Sequence, residues 1–295
     1  KVTIRVSNLV KQYSKNMVAL KDVSLSIDKG MFGLLGRNGS GKTTLLRILT
    51  TLLEPTKGSV HVLGMESNRS NCMEIKKNIG YLPQEFGFYK EFTVSEIMEY
   101  ICIMRGVDKG QQKQFITTVL EKVNMLDDRR KKYRQLSGGM KRRVGLAQAM
   151  LGNPPILIVD EPTAGVDPEE RIRIRKLLSE YSQNNTVLFS THIVEDIEYT
   201  CNKLAILDQG NLLFSGTLEE LLQMTSGNVY ECAFDSLEDF HDFDSQHTVI
   251  SFKREGVQTK AIVIGAEGTV PYSKPYKASL EDAYVFMTAK ARAAK

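Results

Sequence analysis

The 295-residue sequence has no apolar run approaching the ~20 consecutive residues that a membrane span requires, and its first ten residues hold no apolar signal-peptide core. If the protein serves a membrane process, another chain is expected to supply the membrane part. Cysteine is scarce. Cys72, Cys102, Cys201 and Cys232 lie far apart with no C-x-x-C pairing, which argues against a cysteine zinc site or a disulfide framework and fits a reducing cytosol. An excess of one charge is also missing: 39 basic against 35 acidic residues leave +4, evenly spread, so no nucleic-acid partner is expected. Internal repeats and low-complexity tracts are absent too. What remains is 42% hydrophobic and 25% charged, ordinary proportions that support one large globular domain and a smaller one.

The apolar run Met31–Leu35 stops at Gly36-Arg37-Asn38-Gly39-Ser40-Gly41, as a buried strand entering a glycine loop does. Leu45, Leu49 and Leu52 then keep helical spacing, and the helix is expected to run until Glu54-Pro55. From about 85 to 153 the pattern is mainly helical. Thr93-x-x-Glu96 forms a capping box, and Ile97, Tyr100, Ile101 and Met104 form a stripe best read as a packed core face. Ile156–Val159 and Val187–Phe189 read as central parallel strands. Beyond Thr217-x-x-Glu220, another cap, the chain alternates as strands over Val249–Phe252 and Ala261–Ile264. It ends in a helix carrying Leu280, Ala283, Tyr284 and Met287 on one face. The expected organisation is an α/β domain over 1–221, with a parallel or mixed sheet core and a helical subdomain near 85–153. A small α+β appendage follows over 222–295.

Gly36-x-x-x-x-Gly41-Lys42-Thr43 satisfies the Walker A pattern between a strand and a helix. Backbone amides of residues 36–44, Arg37, Asn38, Gly39, Ser40 and Thr44 included, are placed to face phosphates. Lys42 is placed to reach the β- and γ-phosphates, and the Thr43 hydroxyl to ligate Mg²⁺. The apolar run ending in Asp160-Glu161 is a Walker B candidate. Asp160 would hold Mg²⁺ through its water shell, and Glu161 would polarise the water that attacks the γ-phosphate.

Leu136-Ser137-Gly138-Gly139-Met140 ahead of a helix resembles the Leu-Ser-Gly-Gly-Gln signature of the ABC ATPases, with Met140 replacing the usual glutamine. The resemblance spans residues 1 to 220 and implies a P-loop ATP-binding cassette that uses ATP and Mg²⁺. It also implies head-to-tail pairing with a second cassette, identical or paralogous, so that Ser137, Gly138 and Gly139 complete the partner's site. By the same resemblance Tyr13 takes the place of the aromatic that stacks on adenine. Gln84 takes that of the Q-loop glutamine contacting Mg²⁺ and the attacking water, Ala164–Asp167 that of the D-loop, and His192 that of the switch histidine at the γ-phosphate. Singly, Tyr13 reads as well as a sheet-face aromatic, Gln84 as a turn residue and His192 as a satisfied strand-end histidine. Their order along the chain favours the family's roles.

The function expected is that of the ATPase subunit of a membrane transporter, peripheral on the cytoplasmic face and paired with a separate permease subunit. The alternative is a soluble ABC ATPase of the translation or DNA-repair type. A single Walker A, a single signature and no long coiled coil favour the transporter. The run Ser279-Leu-Glu-Asp282-Ala-Tyr-Val-Phe286 resembles the ending of bacterial efflux cassettes and points to export.

Overall fold

The first residues form an antiparallel hairpin of β1 (Val2–Ser14) and β2 (Met17–Asp28) in the computed structural model, which describes residues 2–265 and 273–293. The fully apolar β3 (Gly30–Leu35) follows and runs through the glycine loop into α1 (Lys42–Leu49). β4 (Lys57–Val62) returns to pair antiparallel with β1 and turns into β5 (Met65–Glu66), giving a sheet ordered β2-β1-β4-β5. Then come α2 (Cys72–Lys77), β6 (Ile79–Leu82), α3 (Val94–Met104), α4 (Lys109–Lys122) and α5 (Gly138–Met150). Next are β7 (Ile156–Asp160), α6 (Pro168–Ser182), β8 (Thr186–Thr191) and α7 (Val194–Thr200). β3, β8, β7 and β6 lie side by side, all parallel, with β7 and β8 buried along their whole lengths. Such two-sided burial is what continuous apolar runs in an α/β sheet produce.

The described residues divide into two units, Lys1–Cys201 with Leu207–Leu212, and Asn202–Ile206 with Leu213–Lys295. β9 (Lys203–Asp208) and β10 (Asn211–Thr217) carry the chain across the divide. The second unit continues through α8 (Leu218–Ser226), β11 (Val229–Phe234), α9 (Leu237–Asp244), β12 (Val249–Glu255), β13 (Gln258–Ile264), β14 (Ser273–Pro275) and α10 (Leu280–Ala293). Its antiparallel sheet is ordered β12-β13-β11-β14, with a core of Tyr230, Cys232, Phe240, Ala261 and Val263. The expected face of α10 is buried. Ser279 and Asp282 form a reciprocal cap on that helix: Ser279 N donates to Asp282 Oδ2 at 2.9 Å, and Asp282 N to Ser279 Oγ at 3.2 Å.

Two local expectations are corrected. α1 stops at Leu49, because Thr51 takes a left-handed φ of 58° and the following segment leaves Leu52 exposed. On α3 the capping box forms as read, but the buried face is Val94, Ile97, Met98 and Cys102, while Tyr100, Ile103 and Met104 are exposed. The helix carries two apolar stripes, and only one of them meets the core of this chain.

Candidate nucleotide site

β3, β7 and β8 are parallel, so their carboxyl ends reach one edge of the sheet, where α/β folds bind ligands. The loop after β3 closes on Gly41, whose φ of 108° suits glycine and where a Cβ would come 2.6 Å from the Ala19 carbonyl oxygen. At Gly36 a Cβ would run into the Leu207 carbonyl and the Ser40 hydroxyl. The loop thus holds its turn at the start of α1, whose first amides have no partners within the helix.

Lys42 is 4% exposed. Its Nζ donates to the Gly36 carbonyl at 2.6 Å and to the Arg37 carbonyl at 3.1 Å, and it pairs with Glu161 Oε1 at 3.4 Å. Thr43 Oγ1 donates to Asp160 Oδ2 at 2.8 Å, and Ser190 Oγ donates to the other oxygen of Asp160. Glu161 holds a left-handed φ of 48°, a conformation that costs a non-glycine residue about 1 kcal/mol or more. Its amide donates to Ser190 O and Ser190 Oγ, both at 3.1 Å. That anchoring directs the carboxylate to Gln84, whose Nε2 donates to Oε2 at 3.2 Å, and to His192, whose Nδ1 lies 3.2 Å from Oε1.

Of these groups Lys42, Thr43, Gln84 and Glu161 line an open cleft of about 690 Å³ together with Tyr13 and Thr44, with Asn38, Gly39 and Gly41 at its phosphate-loop side; Asp160 and His192 reach it through Thr43 and Glu161. Tyr13 is half exposed, and its hydroxyl lies 3.3 Å from Thr44 Oγ1. The signature residues do not line the cleft. Ser137 caps α5, its Oγ accepting from Met140 N at 3.2 Å, and Ser137 and Gly138 are exposed.

The cleft fits a nucleotide triphosphate with Mg²⁺. Ser40 Oγ is buried in the phosphate loop without a hydrogen-bond partner, a polar atom awaiting an acceptor or donor. The Thr43 hydroxyl and Asp160 carboxylate stand together as hard oxygen ligands. Among the described residues no group of three or more His, Cys, Asp or Glu could hold a metal by itself, so phosphate oxygens and water would complete the shell. Burial, and then the Asp160 charge, push the Tyr81 phenol up to about 12, which keeps it protonated beside that carboxylate.

Arg142, which the sequence reading did not single out, joins three parts of the site. The side chain is buried and donates to the Gln84 carbonyl at 3.1 Å, Pro162 at 2.8 Å and Asp160 at 3.3 Å, and also to that of Glu161. The guanidinium also lies 5.6 Å from the centre of the Phe86 ring. The available signal is positional: Arg142 shares the helical stripe of Leu146 and Ala149, both fully buried, and an arginine there needs several acceptors.

Strand, phosphate loop, helix and paired carboxylates define a P-loop nucleotide hydrolase. The ABC transporter family model matches residues 20–164. The linearmycin resistance ATP-binding protein LnrL of Bacillus subtilis is 33% identical over 76% of this chain and 72% of its own length. ABC transporter A family member 7 of Dictyostelium discoideum is 31% identical over 97% of this chain, which spans 34% of that protein. Among solved structures, the dimeric post-hydrolysis cassette MJ0796 bound to ADP and Pi superposes with a TM-score of 0.67 at 26% identity, covering 73% of this chain and 98% of that one. The chain belongs to the ATP-binding cassettes of ABC transporters. Such a cassette binds ATP with Mg²⁺ and hydrolyses it.

Proposed function

We propose that this chain powers a membrane transporter together with two partners: a second cassette and a separate permease that holds it at the cytoplasmic face. Residues 1–221 act as the ATPase and 222–295 as an accessory module. The observation that carries the pairing is the exposed Ser137 and Gly138 at the start of α5, outside the cleft that holds Lys42 and Glu161. A helix N-terminus with unpaired amides suits a phosphate, and a second copy's nucleotide supplies one. Light scattering should show a dimer with ATP when hydrolysis is slowed and a monomer with ADP. One unchanged mass in both nucleotides would remove the claim.

In this reading Lys42, Thr43 and Asp160 bind, Glu161 accepts the proton of the attacking water, and Gln84 and His192 hold Glu161 in place. Tyr13 offers its ring to the base. No helix among the described residues is long and apolar enough to cross a membrane, so a permease must be a distinct segment or chain. Its docking surface is the outer stripe of α3, Tyr100, Ile103 and Met104, together with the exposed Tyr89. Phe88, by contrast, packs edge-on against Tyr133 at 5.4 Å and belongs to the fold.

Export is the proposed direction. It is supported by the Ser279–Phe286 run and by the resistance function named for LnrL. In inside-out vesicles carrying the permease, ATP added outside should drive substrate into the lumen. Tyr100→Ala with Met104→Ala should cut that uptake several-fold while ATP binding is unchanged. Movement in the opposite sense would overturn export, and normal uptake by the double variant would place docking elsewhere.

A further inference from the structure

Asp196 lies on α7, outside the nucleotide cleft, and is fully buried. A carboxylate there needs a structural reason, since burying an unpaired charge is costly. Its two oxygens are used differently. Oδ2 accepts from the Thr163 hydroxyl at 2.6 Å and from the Thr191 hydroxyl at 3.4 Å. Oδ1 faces Arg175, whose Nη1 lies 3.6 Å away and whose guanidinium rests 5.0 Å from the centre of the Tyr199 ring. The arginine supplies the counter-charge, and both hydroxyls share the remaining oxygen.

The two threonines are themselves buried, and each is the last residue before a segment of the site. Thr163 precedes Ala164–Asp167, the loop whose Asp167 caps α6 by accepting from Glu170 N at 2.9 Å. Thr191 precedes His192, and its Oγ also accepts from Ile193 N at 2.9 Å, so its hydroxyl sits at the turn that presents the imidazole to Glu161. One oxygen atom therefore ties the root of the Ala164–Asp167 loop to the root of the histidine loop.

We infer that Asp196 is a positioning residue for hydrolysis, holding His192 and the Ala164–Asp167 loop in register with Glu161 through Thr191 and Thr163. The inference rests on the ATPase reading. Asparagine keeps the size of Asp196 but removes the charge that Arg175 balances; its amide would be donor against donor toward Arg175, so it turns toward the hydroxyls, which then have to accept where they donated to a carboxylate. The catalytic constellation should then be displaced while the phosphate loop, which Asp196 does not touch, keeps its shape.

The test compares wild type with Asp196→Asn, Thr163→Val, Thr191→Val, Thr163→Ser and the doubles Asp196→Asn/Thr163→Val and Asp196→Asn/Thr191→Val. Asp196→Asn should lower kcat roughly tenfold or more, the scale of one lost hydrogen bond to a charged group, with KM for ATP and the affinity for a fluorescent ATP analogue within about twofold of wild type. Each valine variant should lower kcat alone and add nothing on the Asp196→Asn background, while Thr163→Ser, which keeps the hydroxyl, should restore turnover. Folded Asp196→Asn with wild-type kcat would overturn the inference, as would valine effects that multiply fully with it or a loss confined to ATP affinity. If Asp196→Asn does not fold, the two valine variants and the serine rescue decide: wild-type kcat in both valine variants overturns it. Glu161→Gln is run alongside. A wild type that releases no phosphate would sink the ATPase reading itself, whereas an active wild type with an equally active Asp196→Asn sinks only this inference.

Discussion

Replacing Glu161 with Gln should cut steady-state phosphate release by ~10² or more while ATP binding survives, because the substitution removes a base and little else. Attack on the γ-phosphate needs a water held in line and a group to accept its proton, whereas binding needs the phosphate cradle and the metal ligands. In the proposed reading the two tasks fall to different residues. Glu161 accepts a hydrogen bond from Gln84 while its own amide donates to Ser190 O and Ser190 Oγ, and its left-handed backbone aims the carboxylate toward His192. The proposed ligands of the metal, Thr43 and Asp160, are bonded to one another. Glutamine keeps the shape and the contact with Gln84 but has no basic oxygen to take a proton. The variant should therefore accumulate as an ATP-filled dimer, seen as nucleotide retained on a sizing column at twice the monomer mass. Near-normal turnover would mean that another group activates the water, and His192 would be the first to change.

The residues most readily read from the sequence are those that lie together along it. Residues 36 to 44 form one loop and one helix start, so the spacing from Gly36 to Gly41, Lys42 and Thr43 carries the placement of the last three on the cleft. Asp160 and Glu161 are legible because an apolar strand ends at them. Arg142 and Asp196 were not singled out, since their partners come from distant segments and carbonyl groups carry no side-chain signature. The helical period of α3 was visible, but a period does not say which of two apolar stripes faces the core; Cys102 went inward and Met104 outward. The antiparallel sheet of β1 escaped a simple alternation test for a different reason. Register shifts at several points along the β1–β2 pair break the two-residue period on which that test depends.

Lys42→Ala should bind ATP poorly rather than slow the chemistry, and so should not reach the ATP-filled dimer that Glu161→Gln accumulates. The Lys42 ammonium is buried between the Gly36 and Arg37 carbonyls and the Glu161 carboxylate, the arrangement of a cation held ready in a pocket with little water. A triphosphate brings several negative charges to that pocket, and its oxygens would compete with Glu161 for the same ammonium. Removing the cation has two consequences of the same sign. Phosphate loses a charge-assisted partner worth about 1.5–3 kcal/mol. Glu161, only 4% exposed, is left without its nearest counter-charge and repels the incoming phosphate. The lost contact alone sets a scale of roughly 10¹ to 10² in affinity, and the repulsion adds to it. Equilibrium titration with a fluorescent ATP analogue measures it. The double variant Lys42→Ala/Glu161→Gln separates the two causes, because it removes the cation and the unpaired carboxylate together. If repulsion by Glu161 contributes as argued, the double variant should bind ATP more tightly than Lys42→Ala alone. Equal affinities in the two would assign the whole loss to the missing lysine contact, and wild-type affinity in Lys42→Ala would mean that the phosphates sit somewhere other than this loop.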